Sequence, residues 1–309
     1  MTGVKVYVTG ASGFVGGHVV RELRAAGADV RDDWIDLLDR ERLRAVVRGC
    51  DAVFHVAALY SYDAAASELE RINVEGTRVV VELCREEGVR RLVHTSTAGT
   101  CGPVPGRAAT EEDEPPTWEL RVPYKRTKLE AERIALAGGA VAVNPTTPVG
   151  DGDRFPTPTG RMIEAIATGR YRAFTDTGLN VVDVSDVARG HLLAFERGRA
   201  GERYLLGGAD LTLQELFSAV ADLAGVRRPH VHVPYATVRA LSRTPFVNRN
   251  EALLARVPAY FSWRKAAREL GYNPGPVSPA LARAVAEALA RAEFKPSIRP
   301  TRAPRFLRE

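Results

Sequence analysis

The sequence of 309 residues predicts an α/β chain, a doubly wound parallel sheet followed by a small C-terminal lobe. Three observations predict it. In the first half, short apolar runs rich in β-branched residues alternate with stretches of helical period. A glycine-rich turn stands between the first run and the first helical stretch. Beyond about residue 150 the alternation loosens into Gly/Pro-rich loops and shorter elements, with no internal repeat and no low-complexity linker.

The elements follow in order. Residues 4–9 form an apolar run suited to a strand buried on both faces. Residues 16–26 read as a helix stopped by Gly27, and 28–31 as a brief second strand. A helix over 39–48 turns Leu43, Val46 and Val47 to one side. Strands at 52–56, 92–96 and 140–143 alternate with helices at 72–86 and 124–136. Strand–helix alternation of this kind implies right-handed crossovers and parallel strands. In the second half, helices are expected at 160–168, 187–196, 213–224 and 280–292, with strands at 180–184 and 204–206.

Composition excludes several classes. Hydrophobic residues make up 45% and charged residues 26%, values ordinary for a soluble globular chain. No uncharged apolar run reaches the roughly 18 residues of a membrane helix. Lys and Arg number 43 against 38 Asp and Glu, a small excess of +5. Its one concentration is the tail, with Lys295, Arg299, Arg302, Arg305 and Arg308, expected to be solvated and flexible rather than a contact for nucleic acid or membrane. Cys50, Cys84 and Cys101 are odd in number and have neither disulfide nor metal spacing, so no metal is expected. With no export signal in view, the expected compartment is a reducing cytoplasm.

Gly10-Ala-Ser-Gly13-Phe14-Val15-Gly16 lies between the first strand and the first helix. Glycines there let backbone approach a pyrophosphate, whose charge the helix N-terminus favours. Dinucleotide binding is therefore expected, in a Rossmann-type core. Tyr124 and Lys128 are four apart and share one helix face. An ammonium beside a phenol lowers its pKa, and such a phenol can exchange a proton with a substrate oxygen. The hydroxyl run Thr95-Ser96-Thr97 ends a strand at the carboxyl edge of the sheet, where ligands bind in open α/β sheets.

These motifs resemble those of the extended short-chain dehydrogenase/reductases: Gly10-x-x-Gly13-x-x-Gly16, His55-Val-Ala-Ala58, Asn73-Val-Glu-Gly-Thr77, Thr95-Ser-Thr-Ala98 and Tyr124-x-x-x-Lys128. The resemblance spans roughly residues 1–290. Asn144-Pro145-Thr-Thr-Pro-Val-Gly150, Pro156-Thr-Pro-Thr-Gly160 and Asp186-Val-Ala-Arg-Gly-His191 are similar to the dihydroflavonol-reductase-like branch, nearest to hopanoid-associated sugar epimerases. The resemblance implies Tyr124 as general acid/base, Lys128 as the group that holds the nicotinamide ribose and tunes Tyr124, and Thr97, with Ser96 as its alternate, as the hydroxyl that positions the substrate oxygen. It further implies Asn73 as a brace near the nicotinamide, Ala57, Ala58 and Pro145 as cofactor lining, and Asp36-Leu37 as the adenine contact. In relatives the two central helices pair into a homodimer, with Val81 and Leu129 expected near the outer faces.

Two departures shape the functional reading. The segment from Val30 to Asp36 is short, and the residue that selects between NAD and NADP falls inside it. Asp32 or Asp33 there favours NAD, whereas Arg31 would pair with a 2′-phosphate. Leu179 stands where nucleotide-sugar epimerases resemble one another in carrying an arginine that clamps the diphosphate. Leucine donates nothing, and each missing charged hydrogen bond costs about 1.5–3 kcal/mol. Arg161, Arg170 and Arg172 are the candidates to compensate. The expected activity is an NAD(P)-dependent oxidoreductase that moves a hydride at a secondary alcohol or ketone of a small uncharged substrate. Tyr60, Tyr62 and the loop over 155–160, with Phe155 at its start, are candidate substrate contacts, and Asn144 either bonds a substrate polar group or caps the turn before Pro145. The alternatives are a sugar or nucleotide-sugar epimerase/dehydratase with recycled NAD, and a non-catalytic dinucleotide-binding regulator. The expected organisation is a dinucleotide-binding core over 1–150 and a lobe over 151–292 from which 180–196 and 204–206 return to the core, then a basic tail over 293–309.

Overall fold

The computed structural model describes residues 1–244 and 248–294, so the basic residues from Lys295 onward lie outside the described residues. In chain order the strands are β1 (Lys5–Thr9), β2 (Asp29–Arg31), β3 (Ala52–His55), β4 (Arg91–Thr95), β5 (Val141–Pro145), β6 (Thr147–Val149), β7 (Ala173–Phe174), β8 (Gly178–Asp183), β9 (Arg203–Leu206), β10 (Ala209–Thr212) and β11 (Val231–His232). Six of them make one sheet in the order β2-β1-β3-β4-β5-β9, with every neighbouring pair parallel. Successive residues Val6, Tyr7 and Val8 are all buried, as are Ala52, Val53 and Phe54. That unbroken burial requires helices on both faces. On one face Val19, Val20 and Leu23 of helix Phe14–Ala25 meet Val187 and Ala188 of helix Val184–Arg197. On the other, Leu43, Val47, Val80, Leu83 and Ala135 close the core beneath Tyr7 and Val53.

The chain leaves β1 for β2 on one side and then crosses to β3 on the other. A crevice opens at the carboxyl ends of the strands where the direction reverses. No strand follows β2 before helix Arg40–Val47, so the short segment ends the sheet on a three-residue edge. The helix expected at 72–86 begins earlier, at Ala66. It runs as Ala66–Leu69, a wide π segment at Glu70–Glu75, and Gly76–Glu86. Apolar period marks only its second half, because Glu68, Glu70 and Arg71 in the first half are exposed.

The smaller lobe carries a sheet in the order β10-β8-β6, antiparallel between β10 and β8 and parallel between β6 and β8, and a two-stranded pair β11-β7. Its core joins Ile163 and Ile166, Val181, Leu216 and Val220, and Leu281 and Val285. Among the described residues no helix is long and apolar enough to cross a membrane. Leu129, expected near an outer face, is buried, and Val81 is half-buried. The exposed positions of helix Pro123–Ala137 are instead Arg126, Glu130, Arg133 and Ala137. The 3.6-residue period carries Leu129 round to the same side as Lys128 and Glu132.

One buried ion pair ties the site-bearing loop to the sheet. Arg203 on β9 donates to Glu132 Oε1 at 3.0 Å, to the Glu111 carbonyl at 2.8 Å and to the Asp113 carbonyl at 2.9 Å. Glu132 also accepts from Thr100 Oγ1 at 2.8 Å and from Asn144. Glu132 is 1% exposed, so its carboxylate depends on these partners. Replacing one partner of a buried pair strands the other charge, at a cost of about 3–5 kcal/mol. Arg203→Leu is therefore expected to lose about that much stability in urea unfolding; a loss under about 1 kcal/mol would contradict the role given to this pair.

Candidate active site

The glycine loop is shaped by close approach. Gly10 has φ +68° and a Cβ there would lie 2.7 Å from the backbone of Ala57, while a Cβ at Gly16 would lie 2.0 Å from the Gly10 carbonyl oxygen. Only glycine fits both positions, and the loop is thereby drawn against the turn after β3. Gly13 caps helix Phe14–Ala25 without any side-chain hydrogen bond, and no acidic residue stands in the first turn. The positive end of that helix therefore faces the crevice unopposed, which fits a dinucleotide pyrophosphate. Gly10, Gly13, Phe14, Val15, Gly16, Asp36, Leu37, Ala57, Ala58 and Pro145, all expected around a cofactor, line one cavity.

The same cavity, about 1070 Å³, is lined further along by Ser96, Thr97, Tyr124 and Lys128. Pro123 starts the helix, so Tyr124 and Lys128 sit in its first two turns beside the end of β4. Lys128 Nζ donates to the Thr95 carbonyl at 2.7 Å. Burial lowers its pKa to about 8, and Glu132 opposes the shift. Burial also pushes the Tyr124 phenol well above its usual value; the Tyr60 phenol adds to this, and a hydrogen bond with Thr97 opposes it. The shift runs upward, where the spacing to Lys128 led to an expected lowering, and burial is its largest cause. A phenol held neutral still carries the proton that a developing alkoxide needs. Below this pair lie His55, His94 and His191, all buried and kept neutral chiefly by desolvation, with Lys128 also disfavouring their charged forms at His55 and His94.

Asn73 lies in the π segment, where its side chain accepts from Leu59 N at 2.7 Å and donates to the Leu59 carbonyl at 3.1 Å and to Thr127 at 3.3 Å. It joins the turn after β3 to the helix that carries Tyr124. Tyr60 lines the cavity and its ring lies 4.8 Å from that of Tyr124, with Tyr62 edge-on at 5.9 Å.

Phe155, Asn144, Asp32 and Arg31 fall outside the cavity lining, as does Asn73. Phe155 is 86% exposed on the loop before helix Pro158–Ala167 and does not line the cavity. The Gly/Pro-rich segment carries it outward, whereas Thr157, Pro158 and Thr159 turn in. Asn144 is fully buried, with its amide donating to Thr100, Glu132 and the Thr97 carbonyl. It supports the Thr97 turn from behind and does not face the cavity. Asp32 is paired with Arg24 at 3.1 Å on the surface, and Arg31 donates to the Val46 and Arg48 carbonyls at a helix end. Neither lines the cavity, whereas Trp34, Ile35 and Asp36 of the same short segment do.

Sequence reasoning missed most of the distal wall. Met162, Tyr171, Phe174, Phe217, Leu254 and Phe261 make much of it apolar, alongside Arg161, Glu251, Thr175 and Thr177. They come from separate elements of the lobe, several too short to carry a periodic signal. Leu179 lines this wall. Of the arginines considered as replacements for a diphosphate clamp, Arg161 reaches the cavity and donates to the Pro156 carbonyl at 2.9 Å; Arg170 pairs with Glu164, and neither it nor Arg172 lines the space. Also missed were Glu119 and Lys125, an ion pair in the wall beside Tyr124.

Residues 6–207 match the model of the NAD dependent epimerase/dehydratase family. The chain belongs to that family. A Synechocystis protein provisionally named a dihydroflavonol 4-reductase is 35% identical, covering 90% of this chain and 93% of its own. The 4-hydroxy-2-methyl-3-oxo-4-farnesyl-3,4-dihydroquinoline-1-oxide ketoreductase of Stigmatella aurantiaca is 30% identical over 87% and 92%. The solved structure of dTDP-glucose 4,6-dehydratase from Streptomyces venezuelae, with NAD bound, superposes with a TM-score of 0.79 at 25% identity, covering 95% and 99%. The chain is accordingly an NAD(P)-dependent enzyme of the extended short-chain dehydrogenase/reductase type, as its motifs implied.

In a family member of this kind the buried lysine has a pH signature. The free ammonium titrates near 10.5 and the folded one near 8. Between those values the unfolded chain binds the extra proton, so rising pH favours the folded state. Relative to Lys128→Met, wild type is expected to gain on the order of 2 kcal/mol between pH 7 and pH 9.5 in urea unfolding. A difference that stays flat over that range would place Lys128 in water.

Proposed function

We propose that the protein reduces a ketone, or oxidises the matching secondary alcohol, on an uncharged and largely apolar molecule. The apolar distal wall around Leu179 carries this reading. A substrate diphosphate there would meet leucine and aromatic rings where its charge needs donors. The names of the relatives agree in kind: the Stigmatella enzyme is named for a 3-oxo group next to a 4-hydroxyl and a farnesyl chain.

A bound NAD(P)H supplies the hydride that reduces the carbonyl carbon. The glycine loop and the N-terminus of helix Phe14–Ala25 would hold its pyrophosphate, with Lys128 on the nicotinamide side and Asp36-Leu37 toward the adenine. NAD is the preferred form in this reading. The stretch 34–38 puts one carboxylate, Asp36, and no cation on the cavity wall, and a carboxylate disfavours a 2′-phosphate. Thr97 and Tyr124 donate to the substrate oxygen, and Tyr124 passes its proton as the alkoxide forms. Lys128 holds a positive charge beneath the phenolate left behind. The Tyr60 and Tyr62 rings flank the phenol and keep water from it.

Tyr124→Phe is expected to lower kcat by about 10²–10⁴-fold on a long-chain ketone, measured as NADH or NADPH oxidation, with cofactor affinity within a few-fold of wild type. Calorimetry with UDP-glucose is expected to show no saturation below about 1 mM. Full activity in the phenylalanine variant would remove Tyr124 from the chemistry. Micromolar UDP-glucose binding would instead favour the epimerase/dehydratase reading, with Arg161 as the clamp.

A further inference from the structure

The smaller lobe carries a surface that the chemistry above does not use. The segments 165–175 and 223–244 contain six arginines, Arg170, Arg172, Arg227, Arg228, Arg239 and Arg243, and neither aspartate nor glutamate. The two segments lie side by side, because β11 pairs with β7 in the register Val231↔Ala173 and His232↔Phe174, and the Arg172 carbonyl accepts from the backbone N–H groups of His230 and Val231. Neighbouring acids answer part of the charge: Glu164 pairs with Arg170 and Asp222 with Arg228, while Asp176 lies 2.7 Å from His232. Arg172, Arg227, Arg239 and Arg243 are exposed and form no ion pair among the described residues.

The same segments hold apolar groups in water. Tyr171, Leu223, Val231 and Leu241 are 45%, 46%, 45% and 41% exposed, and they are four of the seven large hydrophobic side chains left exposed among the described residues. Such groups scattered singly are ordinary, whereas several gathered beside unpaired cations mark a contact surface. The patch is also the rim of the catalytic cavity: Tyr171 and Leu241 line that cavity together with Phe174, Val233 and Val238. Helix Tyr235–Leu241 buries none of its residues. Val238 and Leu241, three apart on one face, border the cavity, and Arg239 stands exposed beside them.

We infer that this rim docks on an anionic phospholipid surface. Guanidinium groups match phosphate oxygens in pairs, and the exposed apolar side chains enter the boundary between headgroups and acyl chains. A nucleic acid would meet the arginines but gain nothing from exposed leucine and valine; an anionic bilayer meets both. The contact is peripheral, in keeping with the absence of a membrane-crossing helix among the described residues. It sets the apolar end of the cavity against the bilayer. The docking stands on the patch alone; that it admits an apolar ketone dissolved in the bilayer rests on the ketone-reduction reading.

The test is flotation of the full chain with vesicles of phosphatidylcholine, and of phosphatidylcholine mixed equally with phosphatidylglycerol. Binding is expected only to the anionic vesicles, and it should fall as salt rises. Each cation at such a surface strengthens binding about fivefold, so Arg172→Gln/Arg227→Gln/Arg239→Gln/Arg243→Gln is expected to weaken it by about a hundredfold or more. Val231→Ser/Leu241→Ser, with every charge kept, is expected to weaken it several-fold. The basic tail is the control: Lys295→Gln/Arg299→Gln/Arg302→Gln/Arg305→Gln/Arg308→Gln should stay within a few-fold of wild type. Thermal melting checks that each variant is folded. No binding of wild type to anionic vesicles, or binding lost in the tail variant and kept in the four-arginine variant, would overturn the inference. So would binding to a DNA duplex that needs the four arginines and is indifferent to Val231→Ser/Leu241→Ser, with no vesicle binding. None of these results bears on ketone reduction, which is read separately as cofactor oxidation on a ketone in solution.

Discussion

The fold and the site both depend on one constraint: every strand of the main sheet runs parallel, and the chain reverses its lateral direction beside β1. All carboxyl ends therefore open on one edge. The loops after β1 and β3 diverge there yet touch through Gly10 and Ala57, which have no room for a Cβ between them. That contact sets the floor of the crevice. The hydroxyls at the end of β4 and Pro145 at the end of β5 then fall along the same opening, and one helix delivers Tyr124 and Lys128 to its wall.

Dehydration is the second theme, and it acts on both Tyr124 and Lys128. Loss of water holds the Tyr124 phenol protonated, brings Lys128 down to about 8 and keeps three histidines beneath it neutral. In the proposed chemistry Tyr124 would act as a neutral proton donor with the Lys128 charge one helical turn away. An alkoxide forming in such a site is stabilised more strongly than in water, because the low local dielectric strengthens each fixed donor. The Glu132 charge is met by pairing with Arg203 on β9 and in turn holds up the Lys128 pKa.

Much of this was legible in the sequence. The glycine loop, the Tyr124/Lys128 spacing and the strand-final hydroxyls are local patterns whose geometry follows from a few residues, and they converge as read. Other features depend on long-range packing. Asn144 reads as a cavity residue because it ends a strand, yet the buried carboxylate of Glu132 captures its amide. Phe155 reads as a contact because it precedes the Thr157–Gly160 turn, but its loop bends outward. Asp32 finds Arg24 before it finds a ribose. The apolar wall is assembled from short elements far apart in the chain, and Glu119 precedes Tyr124 across a break in helical period, so neither had a local signature.

The central claim is net hydride transfer to a carbonyl carbon, as opposed to a cofactor oxidised and restored within one turnover. The most direct measurement uses cofactor deuterated at the transferable position, with an apolar ketone and mass spectrometry of the product. One deuterium on the carbinol carbon and one cofactor oxidised per product are expected. Product formation with no net cofactor oxidation would contradict it and return the site to the epimerase/dehydratase chemistry of its relatives.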